Sequence, residues 1–365
     1  MSRFYALELY APNATGGTTQ TTFPGQISTT IPPKTSNGKK LTYNSFPSKV
    51  WTSHPNGTYD PGAQNILFDI LIYSLGLGAG PSFLVVIEGV SFEDIKQHNN
   101  FHDYGIRLYA GMMPGLPLAN GQPTPGLIAQ GYVEQGIGNW VGEDMTMSLV
   151  CKWGIFSPDD PGNIVFQWKP GQTLAQALQA CLSVAFPGFP IVIKISDQLT
   201  TTHTVTHMAS TLANLSLWLH QYTRNSLGPK YDGVDIVQDA GGIRVYDGTV
   251  KPPPPTQLKF TDLIGQPTWT GGSNDANLMD VMTVLRSDLI AGHKIEMPVI
   301  DQSLPGLVFE TPSYNNAAQN YETSFKGEFI VHNTRQIGNF RGESADDWAT
   351  LIRCNALVGG TPIGQ

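Results

Sequence analysis

Four consecutive prolines, Pro252–Pro255, divide this chain more firmly than any other feature of its sequence. Each lacks a backbone N–H donor and holds φ near about −65°, so neither a helix nor a central strand can run through them. The run Lys251–Thr256 is expected to be a stiff, extended spacer. At 365 residues the chain is also too long for one ordinary core, and two or three domains are the natural expectation.

On the N-terminal side of the spacer, residues 1–150 have strand character. Phe4–Tyr10 alternates, and Ile66, Phe68, Ile70 and Ile72 alternate with Leu67, Asp69, Leu71 and Tyr73, which predicts a strand whose second face is also mostly buried. Gly76, Gly78 and Gly80 make a turn to Phe83–Val90, with no phosphate-loop Lys-Ser/Thr after it. Ser91 followed by Glu93 and Asp94 predicts a short capped helix ending near Asn99-Asn100. Strands over Ile106–Gly111, Gly126–Gln135 and Met145–Lys152 complete a small barrel or sandwich. Between them, residues 11–60 are rich in Thr, Pro and Gly. The apolar anchors there, Phe23, Ile27, Ile31, Leu41, Tyr43, Phe46, Val50 and Trp51, are too scattered to bury one another, so an extended interaction arm is expected.

Residues 151–252 are mixed. Thr173 with Gln176 is a capping-box pattern ahead of Leu174, Ala177, Leu178, Cys181, Leu182 and Ala185 at helical spacing. A second helix is expected over about Thr204–Arg224, with Met208, Leu212, Leu215, Leu219 and Tyr222 as its buried stripe. Strands at Ile164–Trp168, Ile191–Ile195, Val234–Gln238 and Ile243–Tyr246 make this an α+β unit. Beyond the spacer, residues 257–365 return to strands at Gln257–Phe260, Leu278–Leu285, Lys294–Pro298, Gly327–Asn333, Arg335–Phe340 and Ala349–Cys354. The fold class expected is therefore β-rich and multidomain, two β domains bracketing an α+β one, with no internal repeat in the sequence.

Composition narrows the function classes. Charged residues are only 14% of the chain, below the usual quarter, which suits a protein that covers its surface with partners. The net charge of −8, with no basic run, argues against general nucleic-acid binding. Cys151, Cys181 and Cys354 are odd in number and far apart, which fits neither a disulfide framework nor a zinc site and points to a reducing compartment. The apolar stretches are strand-sized, so no membrane insertion is expected. The first residues lack a signal-peptide core, and the sequons at Asn13, Asn56 and Asn214 carry little weight as glycan sites.

No constellation rises to a catalytic site. His98 and His102 have helical metal-ligand spacing, but Asn99 and Asn100 stand where a metalloprotease Glu belongs. His203 and His207 have no carboxylate within a turn. Asp159-Asp160 and Asp346-Asp347 are adjacent loop residues, whereas acid–base pairs face each other across a cleft. The seven tryptophans are spread through all three regions and are expected mostly in cores. No catalytic, metal or cofactor-binding residue is expected, and no cofactor.

Two groups of segments are more specific. One is IRLYAGMMPGLPLAN at Ile106–Asn120 with GYVEQGIGNWVGEDMT at Gly131–Thr146. The other is DLIGQPTW at Asp262–Trp269 with GEFIVHNTRQIGNFRGESADDW at Gly327–Trp348. With NIVFQWKPGQTLAQAL at Asn163–Leu178 between them, the order resembles the central baseplate hub proteins of contractile-tailed bacteriophages. It is similar in character to late-control D proteins and the N-terminal region of type VI secretion spike proteins. The residues carrying the likeness are Gly111, Gly115, Gly138, Asn139, Trp140, Gly265, Pro267, Trp269, Gly338, Phe340, Arg341 and Trp348, as structural positions.

The resemblance implies a non-enzymatic virion protein of the tail baseplate, assembled in the host bacterial cytoplasm. Residues 1–150 and 257–365 would be tube-type β-barrel domains bracketing the α+β domain at 151–252. Three chains would form a pseudo-sixfold ring adapting a hexameric tail tube, or its initiator protein, to a trimeric spike protein, with a tape measure protein and baseplate wedge as further neighbours. DNA would pass through the ring without specific binding, along a wall of like charge. The rival readings are a tail-associated cell-wall hydrolase and a receptor-binding module.

Overall fold

The structure is a computed structural model that describes residues 3–12, 34–36, 39–41, 43–44, 46–72, 82–113, 125–153, 164–186, 189–228, 231–249, 255–271, 277–298, 327–358 and 361–362. The chain is β-rich, as its alternating patterns predict. In order, β1 (Arg3–Tyr10), β2 (Lys34–Ser36), β3 (Lys39–Leu41), β4 (Lys49–Thr52), β5 (Asn65–Ile72) and β6 (Ser82–Glu88) lead to helix α1 (Phe92–Lys96). Next come β7 (Gly105–Met112), β8 (Gly126–Val141), β9 (Asp144–Trp153), β10 (Ile164–Trp168), α2 (Leu174–Ala185), β11 (Ile191–Lys194), β12 (Val205–Ala209) and α3 (Leu212–Thr223). Then follow β13 (Asp235–Asp239), β14 (Gly242–Tyr246), β15 (Thr256–Gln257), β16 (Thr268–Gly271), β17 (Asn277–Val284), β18 (Lys294–Met297), β19 (Gly327–Asn339), β20 (Trp348–Val358) and β21 (Thr361–Pro362).

One 14-stranded sheet dominates, running β16-β17-β20-β19-β5-β6-β9-β8-β7-β1-β4 along its path. Strands from both sides of the proline spacer are therefore hydrogen-bonded into a single surface, the join being β5 against β19. The main core lies under the N-terminal part of this sheet, around Leu7, Ile66, Phe68, Val85, Leu108, Val133 and Leu149. It also takes in Val237 and Ala240 of the α+β region and Phe340 and Trp348 from beyond the spacer. A separate core forms around Met279, Val281, Ile295, Phe329, Val331, Ile352 and Cys354. The α+β region has a third, built by α2 and α3 against β10–β12 and the β11–β14–β13 sheet.

The large sheet contains an internal repeat that the sequence hides. In β5-β6-β9-β8 and again in β16-β17-β20-β19, two hairpins pair through their second strands, and an intervening strand, β7 or β18, pairs with the third. The registers superimpose. Val133 faces Cys151 and Val331 faces Cys354, and each pair is followed by a bulge of one residue, between Val133 and Gln135 and between Val331 and Asn333. Phe83 and Met279 occupy matching places opposite those cysteines. Asp103 N donates to Val133 O and Val133 N to Tyr104 O; Gly292 N donates to Val331 O and Val331 N to His293 O. Asp103 and Gly292, at matching positions, both have positive φ, 66° and 81°. Among the differences between the halves, β1 runs antiparallel to β7, whereas β15 runs parallel to β18.

Three local expectations are corrected. The segment expected to be one helix over Thr204–Arg224 is a strand, β12, followed by α3. Thr211 is the helix cap, its Oγ1 accepting from Asn214 N at 3.1 Å. In β12 the β-branched Val205 and Thr206 favour extension, and Met208 points out, 69% exposed, as does Tyr222. Gly327–Asn339 is one long bulged strand, with no break at Thr334. At the end of the 11–60 stretch, β4 pairs with β1 and Trp51 is buried in the main core. Phe23, Ile27 and Ile31 lie outside the described residues.

Candidate assembly interface

The join between the two halves is built from both ends of the chain. Thr334 to Asn339 of β19 pair antiparallel with Ile72 to Leu67 of β5. Beneath them Trp348 packs edge-on against Phe68 (5.4 Å) and Phe340 (6.0 Å), and Tyr5 edge-on against Phe340 (4.9 Å). The indole N–H of Trp348 donates to Gly111 O at 2.9 Å, so its polar atom is satisfied in the core. Gly338 leaves room for the Phe68 ring: a Cβ there would lie 2.2 Å from its Cζ. Arg3 donates to Asn339 O, Gly342 O and Ser344 O, and Arg341 to Pro61 O and Ala63 O. Two guanidiniums thus tie the N-terminal strand region and the β19–β20 turn together through backbone carbonyls.

The outer face of the sheet crosses this join as a shallow groove of about 720 Å³. Leu71, Leu84, Val150 and Leu351 form its floor. Leu71 and Leu84 are nearly half exposed, at 48% and 45%. Arg335 clasps Asp69 (2.8 and 2.5 Å) and Arg353 clasps Asp280 (2.7 and 2.9 Å), both in forked geometry. The hydrogen bonds to the carboxylates hold both guanidiniums above their ordinary pKa. The groove therefore presents neutralised charge, with each carboxylate held by an arginine.

A second apolar patch sits at the far end of β8. Ile137, Trp140 and Val141 are 44%, 59% and 65% exposed, and Phe92 of α1 packs edge-on against Trp140 at 5.1 Å. Beyond Glu134, the side of β8 away from β9 has no strand beside it among the described residues, because β7 covers only Gly126–Tyr132. Among the described residues β16 and β4, the two end strands of the sheet path, each pair on one side only. Unpaired edges carrying large apolar side chains are association sites unless something covers them.

The twelve positions singled out in the sequence fall in these places. Gly111, Gly338, Phe340, Arg341 and Trp348 meet at the join. Gly138, Asn139 and Trp140 lie on the open part of β8. Gly265 (φ 73°), Pro267 and Trp269 lie at or just before β16. Gly115 lies outside the described residues. What sequence reasoning missed is Arg3, Tyr5, Phe68 and Asp69; only the alternation of β1 and β5 pointed toward them.

The histidine and acid candidates have structural partners. His98 Nδ1 donates to Ile95 O (2.7 Å) and His102 Nδ1 to Glu134 O (2.6 Å). His207 stacks on Trp218 at 4.1 Å. Asp346 and Asp347 accept from Ser344 in a turn, while Asp159-Asp160 lie outside the described residues. No group of three metal-ligating side chains occurs among the described residues. The three cysteines are buried thiols, and burial pushes each above its ordinary pKa, Cys181 to about 11. No helix among the described residues is long and apolar enough to cross a membrane.

No protein-family description matches the chain, and no curated protein matches its sequence. Solved structures do. The 43 kDa tail protein of prophage MuSo2 from Shewanella oneidensis aligns with 83% of this chain and 100% of its own, at 10% identity and TM-score 0.45. A tail protein from Neisseria meningitidis MC58 aligns with 97% of this chain and 96% of its own, at 10% identity and TM-score 0.46. The E. coli c3393 protein, described as a type VI secretion component similar to T4 bacteriophage tail proteins gp27 and gp5, aligns with 82% of this chain and 76% of its own, at 9% identity and TM-score 0.45. The neighbours are thus phage tail and type VI secretion proteins. Likeness of this degree carries no functional inference by itself.

Proposed function

We propose that this chain is a structural subunit of a phage tail baseplate hub, three copies of which form a pseudo-sixfold ring around a DNA channel. The observation that supports the reading is the internal repeat. One chain carries two sheet units of equal connectivity and register, already joined side by side. Three such chains offer six equivalent units, and a threefold object can then match a sixfold one. That is the geometry needed to adapt a hexameric tube, or its initiator, to a trimeric spike, with a tape measure protein and baseplate wedge as further neighbours.

On this reading residues 1–150 and 257–365 are the two tube-type domains and residues 151–252 are an accessory α+β domain. The twelve sequence-marked residues are structural, and the role is non-enzymatic, performed in the virion tail. Three chains of net charge −8 would carry about −24, which repels a DNA backbone in transit. Native mass measurement of the purified protein, alone and with its spike and tube neighbours, tests the reading directly. A trimer is the expected outcome. A protein that stays monomeric with both neighbours present would sink it.

A further inference from the structure

The internal join also supplies a template for the contact between copies. Val133 matches Val331, so Gly136–Val141 of β8 match Thr334–Asn339 of β19. Leu84 matches Asp280, and their partners Asp69 and Thr268 match in turn. The strand Leu67–Ile72, which takes up the open side of β19, therefore corresponds to Gln266–Gly271. Within one chain the second half's third strand is covered by the first half's first strand. Of the eight strands that match between the halves, the first half's third strand, β8, and the second half's first strand, β16, are the two left with an unpaired side among the described residues.

We propose that β8 of one copy pairs antiparallel with β16 of the next, in the register of the internal join. Ile137 then faces Thr270 of a neighbouring copy, Asn139 faces Thr268, and Trp140 faces Pro267. This deepens, and rests on, the ring reading above, since it names the surfaces that close the ring. Several observations converge on it. The two borders are complementary halves of a contact the chain already makes once, so the occupant is a second copy of this chain. The exposed apolar side chains of β8, Ile137, Trp140 and Val141, sit along the border to be covered. Six of the twelve sequence-marked positions, Gly138, Asn139, Trp140, Gly265, Pro267 and Trp269, lie at these two borders, although Gly138 also packs against Ile95 and Gly265 has positive φ within the chain. Bulk is exchanged across the two joins: internally Gly338 faces the Phe68 ring, and between copies Trp140 would face Pro267. A head-to-tail contact of this kind closes into a ring when its rotation repeats an integral number of times, and otherwise runs on as a filament.

Disulfide trapping tests the register. Directly opposed residues in an antiparallel pair have Cα atoms about 4.5–5.5 Å apart, within disulfide range, whereas diagonal neighbours lie about 7–8 Å apart. Asn139 and Thr268 are both exposed, and the three native cysteines are buried. Under diamide oxidation Asn139→Cys/Thr268→Cys should link into a closed three-chain species, and the diagonal control Val141→Cys/Thr268→Cys should not. Linked rings or filaments of another copy number would support the β8–β16 contact and overturn the three-copy reading. A trimer by light scattering that fails to link, or links equally in both variants, would overturn the contact and leave the trimer standing. A monomer that never links would overturn both. Ile137→Lys provides a second route, because it places a charge on an exposed edge with no core contact to lose. It should abolish assembly while melting at the temperature of the wild-type protein diluted to its monomer, and assembly at wild-type concentration would refute the proposal.

Discussion

Replacing Gly338 by alanine isolates the packing of the internal join. The added Cβ would lie 2.2 Å from Phe68 Cζ and 2.3 Å from Cε1, where carbon atoms rest about 3.5–4.0 Å apart. The ring cannot simply withdraw, because Trp348 stands edge-on behind it and is itself held by Gly111 and Phe340. Overpacking of this kind costs about 1–3 kcal/mol. The loss of unfolded-state entropy on going from Gly to Ala offsets about 0.4–1 kcal/mol of that. Phe68→Ala alone should cost about 3–5 kcal/mol as a buried aromatic truncation. In that background the collision is gone, so Gly338→Ala should become neutral or slightly stabilising. Urea unfolding of the four proteins, followed by tryptophan emission, gives the coupling between the two sites, expected at about 1–3 kcal/mol and favourable. If Gly338→Ala costs the same with and without the Phe68 ring, the ring is not what the glycine accommodates, and this account of the join is wrong.

Three further outcomes follow from the structure. Burial and the nearby Arg244 and Lys194 hold His293 down at about 4, so the unfolded chain binds more protons between about pH 6.5 and 4. Stability should be full above that window and fall as pH drops through it, and His293→Gln should flatten the decline in thermal unfolding scans. His220 works in the opposite sense, raised by its hydrogen bond to Asp235, and its contribution is lost as pH rises. Zymography on host cell walls should show no clearing by the pure protein, since the groove's carboxylates are each held by an arginine; clearing would revive the hydrolase reading.

How much of this was legible in the sequence depends on whether the signal was local. The capping boxes worked because a cap and its partner are three residues apart. Thr173 and Gln176 satisfy each other's backbone N–H groups, and Ser91 Oγ accepts from Asp94 N. The alternation of β5 marked its buried face, Ile66, Phe68, Ile70 and Ile72, but apolar Leu67 and Leu71 suggested a second buried face where the structure leaves Asp69 and Leu71 exposed. The same logic failed at Met208, where a four-residue step to Leu212 imitated a helix across a strand–cap boundary. The repeat was invisible for a different reason. Matching positions retain identities such as Val133 and Val331 or Cys151 and Cys354, but Gly136 matches Thr334, Ile137 matches Arg335, and Trp140 matches Gly338. The outer positions of the two units differ, so backbone register persists where side-chain identity does not. At the assembly interface, Gly338 and Trp348 could be named from sequence. Their pairings with Phe68 and Gly111 could not, because contacts across the whole length of the chain leave no local trace.

That distance has a consequence for synthesis. Asp69 and Arg335 are separated by 266 residues, and at roughly 5–20 residues per second the ribosome needs roughly 15–50 s to deliver one after the other. Throughout that interval the first half of the sheet can fold only with β5 as an open border, bearing Leu71 and no partner. Such late, distant pairing slows folding and leaves a sticky strand waiting. The protein's most vulnerable moment is thus the half-made chain, when a second nascent copy could seize the border that the chain's own last hairpin is meant to occupy.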